Sequence, residues 1–578
     1  MQKRLSFSFL FLIATLISVA QLKSPEEFLG YKIGDRFTPH WKIVNYFNHV
    51  AAGSPSTVKL EQYGETNEGR PLLLATISSP ANISNLENIR KNNLRLAGMG
   101  LDKTTADENS PAVVWLSYNV HGNETSSSEA AMLTIWALAD PSNTNTKAWL
   151  KNTVVIIDPC LNPDGRDRYV NWFNTTVGKN ANPQRISREH RENWPSGRTN
   201  HYYFDLNRDW AWQTQVESQL RMKKYNQWMP QVHVDFHEQG YNEPYYFAPA
   251  AEPLHEVITP WQREFQKTIG KNHAAYFDRN GWLYFTRERF DLFYPSYGDT
   301  YPVFNGAIGM TYEQGGSGAA VIVEEGDTLT LFDRVTHHFT TGLSTIEVSS
   351  QHAARLVKEF RKFFNDAVST GGGEYKTYII KYDVKQQERI EKLAELLDNN
   401  GIRYSKGNSL PVKGYNYVSG KEESFTAGSN DMVISTVQPR SALVKVLFEP
   451  KSKLADSVTY DITAWSLPYA YGLTAWASKD RITSNGEWAP SSRVPNVETE
   501  YGYILPWKGV KAVKAMAQLM KKGILLRYAE NDFEINGNKF DRGAIIILKT
   551  SNKKFGKNLW QIVREVADGV GVQLFPVS

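Results

Sequence analysis

Apolar and polar positions follow two different periods over the first two thirds of the chain. Short apolar runs at 112–120, 154–157, 232–236 and 308–312 are each bounded by Gly, Pro or Asn, which is the pattern of buried strands. Between them, 126–139 and 213–228 carry apolar residues at three- and four-residue spacing, which predicts helices, and 329–367 predicts one or two more. Strands alternating with helices from about residue 38 to 350 predict an α/β sandwich.

The glycine run Gly371-Gly372-Gly373 has no preferred backbone well, so 369–375 reads as a linker between a first domain at 21–368 and a C-terminal α/β region at 376–578. That region carries a recurrence. Tyr378-Ile379-Ile380, a helix, Asn400-Gly401-Ile402, Phe425-Thr426-Ala427-Gly428 and a strand at 432–435 are matched, about 120 positions later, by Tyr503-Ile504-Leu505, a helix, Lys522-Gly523-Ile524, Phe540-Asp541-Arg542-Gly543 and a strand at 544–548. Two related β-α-β units account for it. No catalytic constellation falls within them.

The N-terminus changes the picture of where the protein works. Lys3-Arg4, an apolar stretch at 5–19 and Ser18-Val19-Ala20 have the charge, core and small-residue order of a secretory signal, so residues 1–20 are expected to be cut near Ala20 and the mature chain to be secreted or periplasmic. The apolar run is shorter than the roughly 20 residues needed to span a bilayer, and no later run reaches that length, so no integral membrane segment is expected in the mature chain. A formal charge of +4 over 578 residues, without a basic block, argues against nucleic acid as a partner. Cys160 is the only cysteine, so no intramolecular disulfide forms, and with no activating group nearby in sequence its thiol reads as buried and inert.

Chemistry concentrates at strand ends. His121-Gly122-Asn123-Glu124 follows the first of these strands and precedes a helix, so an imidazole and a carboxylate three residues apart share one turn. With one later histidine they make the three-ligand set that leaves zinc an open position. His233, Asp235 and His237 alternate on one strand face; His237 is at the strand end, where α/β proteins place their sites, whereas His233 reads as a core histidine and Asp235 as a hydrogen-bonding partner that orients a neighbour. Arg198 lies in the loop before Asp205-Leu206-Asn207-Arg208, and the Asn207-Arg208 pair offers a fork and an amide suited to a peptide's terminal carboxylate. Glu313 ends the last apolar strand, a place for a general base.

Taken in order, His121-x-x-Glu124, Asn162-Pro163-Asp164-Gly165, Asp205-Leu206-Asn207-Arg208, His237 and the strand-end Glu313 resemble the zinc carboxypeptidase family typified by carboxypeptidases A and B. The resemblance covers about 38–350 and implies an α/β/α sandwich around a mixed sheet. It further implies one zinc ion on His121, Glu124 and His237, a substrate carboxylate held by Asn207 and Arg208, and Glu313 promoting water. An arginine nine residues before the asparagine polarises the scissile carbonyl in one branch of the family; Arg198 has that spacing, with Arg188 and Arg191 as alternatives. The family's mobile tyrosine has three candidates here, Tyr294, Tyr297 and Tyr301. The expected activity is hydrolysis of the C-terminal peptide bond of peptides with a free carboxylate. A zinc amidohydrolase acting on peptidoglycan peptides or acyl amino acids, and a non-catalytic binding scaffold, are the alternatives.

Overall fold

The computed structural model describes residues 22–577 except 103, 325, 410, 455–458, 462–463, 484–485 and 490–494. The expected signal segment, 1–20, lies outside the described residues.

An eight-stranded mixed sheet organises the first domain: β1 (Val58–Glu65), β2 (Pro71–Ile77), β3 (Ala112–Tyr118), β4 (Thr153–Asp158), β5 (Val232–Gln239), β6 (Tyr245–Tyr246), β7 (Tyr284–Phe285) and β8 (Ile308–Gly315), in the spatial order β1-β2-β4-β3-β5-β8-β6-β7. The central strands β4, β3, β5 and β8 run parallel. β3 and β4 are buried at every position, which is why they appear in the sequence as unbroken apolar runs instead of alternating ones. The β1–β2 and β2–β4 pairs are antiparallel.

Helices cover both faces. Ser126–Ala139 and Pro260–Asn280 pack against Leu331–Gln351, while Leu86–Leu96 packs against Val216–Trp228 and Ala353–Thr370. The helix expected at 126–139 has those bounds; that at 213–228 starts at Val216; and 329–367 resolves into two helices meeting at His352. The fold is thus a three-layer α/β/α sandwich around a mixed sheet. Because β3, β5 and β8 are parallel neighbours, their carboxyl ends open side by side into one crevice.

In the C-terminal region, strand Thr377–Ile380 is flanked by Met432–Ser435 and Ala475–Ser478, with Ser405–Lys406 beyond Met432–Ser435. Gly502–Leu505 is flanked in the same way by Ile545–Leu548 and Phe575–Val577, with Arg527–Tyr528 beyond Ile545–Leu548. Each central strand is followed by a helix, Gln387–Asn399 or Val510–Lys521, and all these pairs run antiparallel. The two copies differ in attachment. One buried apolar cluster runs from Ile33 to Trp488, while 503–577 is built around cores of its own. Polar ties weld the first copy to the sheet domain: Tyr301 Oη donates to Asn400 Oδ1 at 2.7 Å, Arg440 donates to Asn226 Oδ1 at 2.7 Å, and His255 meets Glu449 at 3.0 Å.

Candidate metal centre and cleft

The turn after β3 is set by a backbone that only close packing explains. Asn119 takes a left-handed conformation (φ 60°), and its side-chain amide donates to the carbonyls of His121 (2.7 Å) and Glu124 (3.0 Å), closing the loop that carries both. Arg166, fully buried, donates to Asn119 Oδ1 (3.1 Å), to the Thr125 carbonyl (2.9 Å) and to Glu129 (2.8 Å). Asn162 caps the helix Pro163–Thr176 by accepting the Gly165 N–H, and its amide reaches the Arg198 carbonyl at 3.1 Å. A Cβ on Gly122 would strike the backbone of Gly165 and Arg166, and one on Gly165 would strike the carbonyl of Gly197. The glycine of the His-Gly-Asn-Glu turn is therefore required by the crossing of two loops, and the Asn-Pro-Asp-Gly segment is the scaffold that holds the turn.

His121 Nδ1 lies 2.7 Å from Glu124 Oε1 and 3.2 Å from His237 Nδ1, and His237 Nδ1 lies 3.0 Å from Glu124 Oε2. The facing donor atoms of the three all fall within 4.8 Å of one another. The far nitrogens are spoken for: His121 Nε2 lies 3.0 Å from Asp205 Oδ1, and His237 Nε2 lies 3.0 Å from Asp235 Oδ2. The carboxylates beside the two Nε2 atoms leave both Nδ1 atoms and a third carboxylate facing one point, a donor set that suits zinc. Burial opposes ionisation of Glu124, but His121 and His237 outweigh it and hold the carboxyl well below its usual range. Burial opposes protonation of His237 as well; Asp235 and Glu124 outweigh that and raise it well above the ordinary imidazole value. Among the described residues, no other group of three such side chains faces a common point.

His233 is not part of this group. It is fully buried, meets Ser117 Oγ at 3.0 Å, and burial pushes its pKa down to about 3, a core histidine. Cys160 is buried too, and burial drives its thiol up to about 12, the behaviour of an unreactive cysteine.

Glu313 stands beside His237 in register across β5 and β8. The two border a cavity of about 370 Å³ that is also lined by Arg198, Asn207, Arg208 and Tyr297. Burial, reinforced by Glu124 and Asp235 and opposed by His237 and Arg198, pushes Glu313 up to about 8. Arg198 donates to Glu124 Oε1 (3.3 Å) and to Asp205 Oδ2 (3.0 and 3.1 Å). Arg188 and Arg191 are exposed and lie outside that lining. The Asn207 side-chain oxygen accepts the Gly298 N–H (2.8 Å), and its nitrogen lies 3.3 Å from His237 Nε2. The Arg208 guanidinium stacks on Tyr297 at 4.5 Å. Of the three candidate tyrosines, Tyr297 lines the cavity, whereas Tyr301 is buried against Asn400 and Tyr294 accepts from Trp212 Nε1 at 2.7 Å. Glu238 is committed to Arg334 (2.8 Å) and to Ser126 (2.9 Å from its N–H).

Three contributors escape a reading of the sequence. Asp205 stands inside a quoted motif, where its spacing before Asn207 is a usable signal, yet its two-sided contact with His121 and Arg198 needs coordinates. Tyr460 lines the cavity from the C-terminal region, and its neighbour Asp461 meets Arg208 Nε at 3.2 Å. Nothing local in the sequence marks either.

A three-layer α/β fold with a His-Glu-His group near the strand ends defines a site suited to a metal ion. Residues 43–269 match the family model described as zinc carboxypeptidase. The match spans 227 of the 578 residues, and over that span the chain is similar to zinc carboxypeptidases. No curated protein matches it. Similar solved structures include a metallo-carboxypeptidase from Burkholderia cenocepacia (14% identity, 54% of this chain and 69% of that one, TM-score 0.39) and the carboxypeptidase A from Helicoverpa armigera (16%, 58% and 79%, 0.35). A third is a metallo-carboxypeptidase from Pseudomonas aeruginosa in complex with (2-guanidinoethylmercapto)succinic acid (13%, 54% and 68%, 0.34).

Proposed function

We propose that this protein removes residues from the C-terminus of peptides after export, with His121, Glu124 and His237 as the zinc ligands and Glu313 as general base. One observation carries the reading: the β5–β8 register sets Glu313 beside His237, at the mouth of a cavity that also holds Arg198, Asn207 and Arg208. Glu313 lies beyond the residues of the family match, so its role rests on that placement.

Zinc, when bound, supplies Lewis acidity toward water and the scissile carbonyl. Glu313 accepts the proton that water gives up on attack and passes it to the leaving amine. His237 and Arg198 oppose the rise that burial imposes on Glu313, and added positive charge between the three ligands works in the same direction, favouring the ionised base at neutral pH. Arg198, beside Glu124, balances the negative charge that develops on the carbonyl oxygen. Arg208 takes the terminal carboxylate. Asn207 accepts the Gly298 N–H with its oxygen, so its amide nitrogen is the end that can donate to the same group. Export follows from the order Lys3-Arg4, apolar 5–19, Ala20. Among the described residues, no helix is long and apolar enough to cross a membrane.

The test uses one peptide as the free acid and as the C-terminal amide. The amide is expected to lose about thirtyfold or more in kcat/KM, about 2 kcal/mol, and Arg208→Ala to erase most of the difference. Equal cleavage of both forms, or internal cuts in a long peptide, refutes the exopeptidase assignment and leaves a zinc hydrolase.

A further inference from the structure

One residue of the cavity lining, Tyr460, comes from outside the sheet domain, between the helices Ser441–Phe448 and Leu467–Ala470 of the C-terminal region. Its backbone N–H donates to Asp291 Oδ2 at 2.7 Å, and its ring rests 5.4 Å from Phe290 and 6.4 Å from Tyr297. Thr459 Oγ1 donates to the Asp461 carbonyl at 2.6 Å. These contacts place the Asp461 carboxylate on the edge of the Arg208 guanidinium, 3.2 Å from Nε. Asp205, 3.8 Å from Arg208 Nη1, is already engaged by His121 and Arg198. Asp461 is therefore the nearest carboxylate to the one guanidinium expected to receive a substrate carboxylate.

We propose that Asp461 is a specificity-determining residue supplied by the C-terminal region, and that its carboxylate competes with the terminal carboxylate of a peptide for Arg208. The inference rests on the role of Arg208 given above. A guanidinium has five N–H donors. Asp461 faces the Nε edge, one of the two sides on which a carboxylate can form a paired contact. A peptide that docks on this edge displaces Asp461; one that docks on the two terminal nitrogens shares the guanidinium with it and meets its negative charge. In both cases Asp461 weakens the hold on a free C-terminus, and a peptide without a terminal charge escapes the penalty. The C-terminal region thus narrows the margin between acid and amide substrates that Arg208 alone would set.

The experiment compares the unmodified protein, Asp461→Asn, Arg208→Ala and the double variant on one peptide in free-acid and amide forms, with KM and kcat measured separately. Asparagine keeps the shape and removes the charge, and thermal unfolding of each variant checks the fold. Asp461→Asn is expected to lower KM for the free acid about two- to fivefold, the range of a partly exposed ion pair, with a smaller change in kcat. The acid-to-amide ratio of kcat/KM rises by a similar factor, and the gain vanishes when Arg208 is already alanine. An unchanged or higher KM for the acid, while the unmodified protein still prefers it, overturns the competition and makes Asp461 a support that positions Arg208. A gain that persists without Arg208 overturns it too. Equal cleavage of acid and amide by the unmodified protein removes Arg208 as the anchor, and the inference falls with it.

Discussion

Replacing Asp205 with asparagine isolates what holds the metal ligands in place, because the substitution changes charge and hydrogen-bond polarity without changing size. Asp205 Oδ1 faces two N–H groups, His121 Nε2 at 3.0 Å and the Asn207 backbone at 2.9 Å, while Oδ2 faces Arg198 Nη2 and Nε at 3.0 and 3.1 Å. Every neighbour is a donor. Burial opposes ionisation of Asp205, but His121 and Arg198 outweigh it and hold the carboxyl well below its usual range. An asparagine has one acceptor for four donors: with its oxygen toward His121 the amide nitrogen confronts Arg198, and flipped it confronts His121 Nε2–H. The first orientation frees Arg198 from its anchor, and the second favours the tautomer with the proton on Nδ1, the atom that must face the metal. Partners of this kind are worth about 10- to 100-fold in metal affinity, or about 1.4–2.7 kcal/mol. The measurement is a zinc competition titration against a chromogenic chelator, with Asp235→Asn as the matching change behind His237. A zinc affinity within about twofold of the unmodified protein, in a folded variant, refutes the role assigned to Asp205.

His237→Ala is expected to abolish stoichiometric zinc binding because three ligands leave no spare, whereas His233→Ala keeps zinc and lowers stability; the reverse result, read by metal analysis, exchanges the third ligand. Glu313→Gln should bind zinc normally and lose about two to four orders of magnitude in turnover, measured as kcat on a free-acid peptide. As the proposed base Glu313 works deprotonated and burial raises its pKa, so kcat/KM is expected to fall as pH drops, with a midpoint between the ordinary 4.5 and about 8, and this acid limb to disappear in Glu313→Gln. Arg166→Ala leaves Glu129 buried without its partner at 2.8 Å and unties the His121–Glu124 turn; a loss of about 3–5 kcal/mol is expected in denaturant unfolding, with weakened zinc binding, and a loss under 1 kcal/mol contradicts it.

The strands that were legible are those the sheet buries on both faces. β3, β4 and β8 are buried at every position and β5 at all but its last two; β3 and β4 read as nearly unbroken apolar runs, whereas β5 alternates His233, Asp235 and His237 with Val and Phe. β1 was not picked out, since its burial pattern is irregular, with a register shift between Gln62 and Gly64; β6 and β7 are two residues long and carry no period at all. The candidate metal group was legible because His121 and Glu124 follow β3 and His237 lies near the end of β5. Chemistry on a strand end inherits the certainty of the strand.

The other half of the cleft had no such support. Arg208 could be named from its motif, but its charge balance depends on Asp461, which is more than 250 residues away in sequence and sits in an irregular segment. Contacts such as Arg440 with Asn226 and Tyr301 with Asn400 fix the first C-terminal copy against the sheet domain, and that attachment sets Tyr460 in the cavity lining and Asp461 beside Arg208. Among the described residues, the second copy, built around separate cores, contributes none to the cavity lining. The duplication that looks symmetric along the chain is therefore asymmetric in consequence. Among the described residues, the carboxylate 3.2 Å from Arg208 comes from the copy that shares the sheet domain's core, and the selection proposed for Asp461 would depend on that copy's burial against the sheet domain.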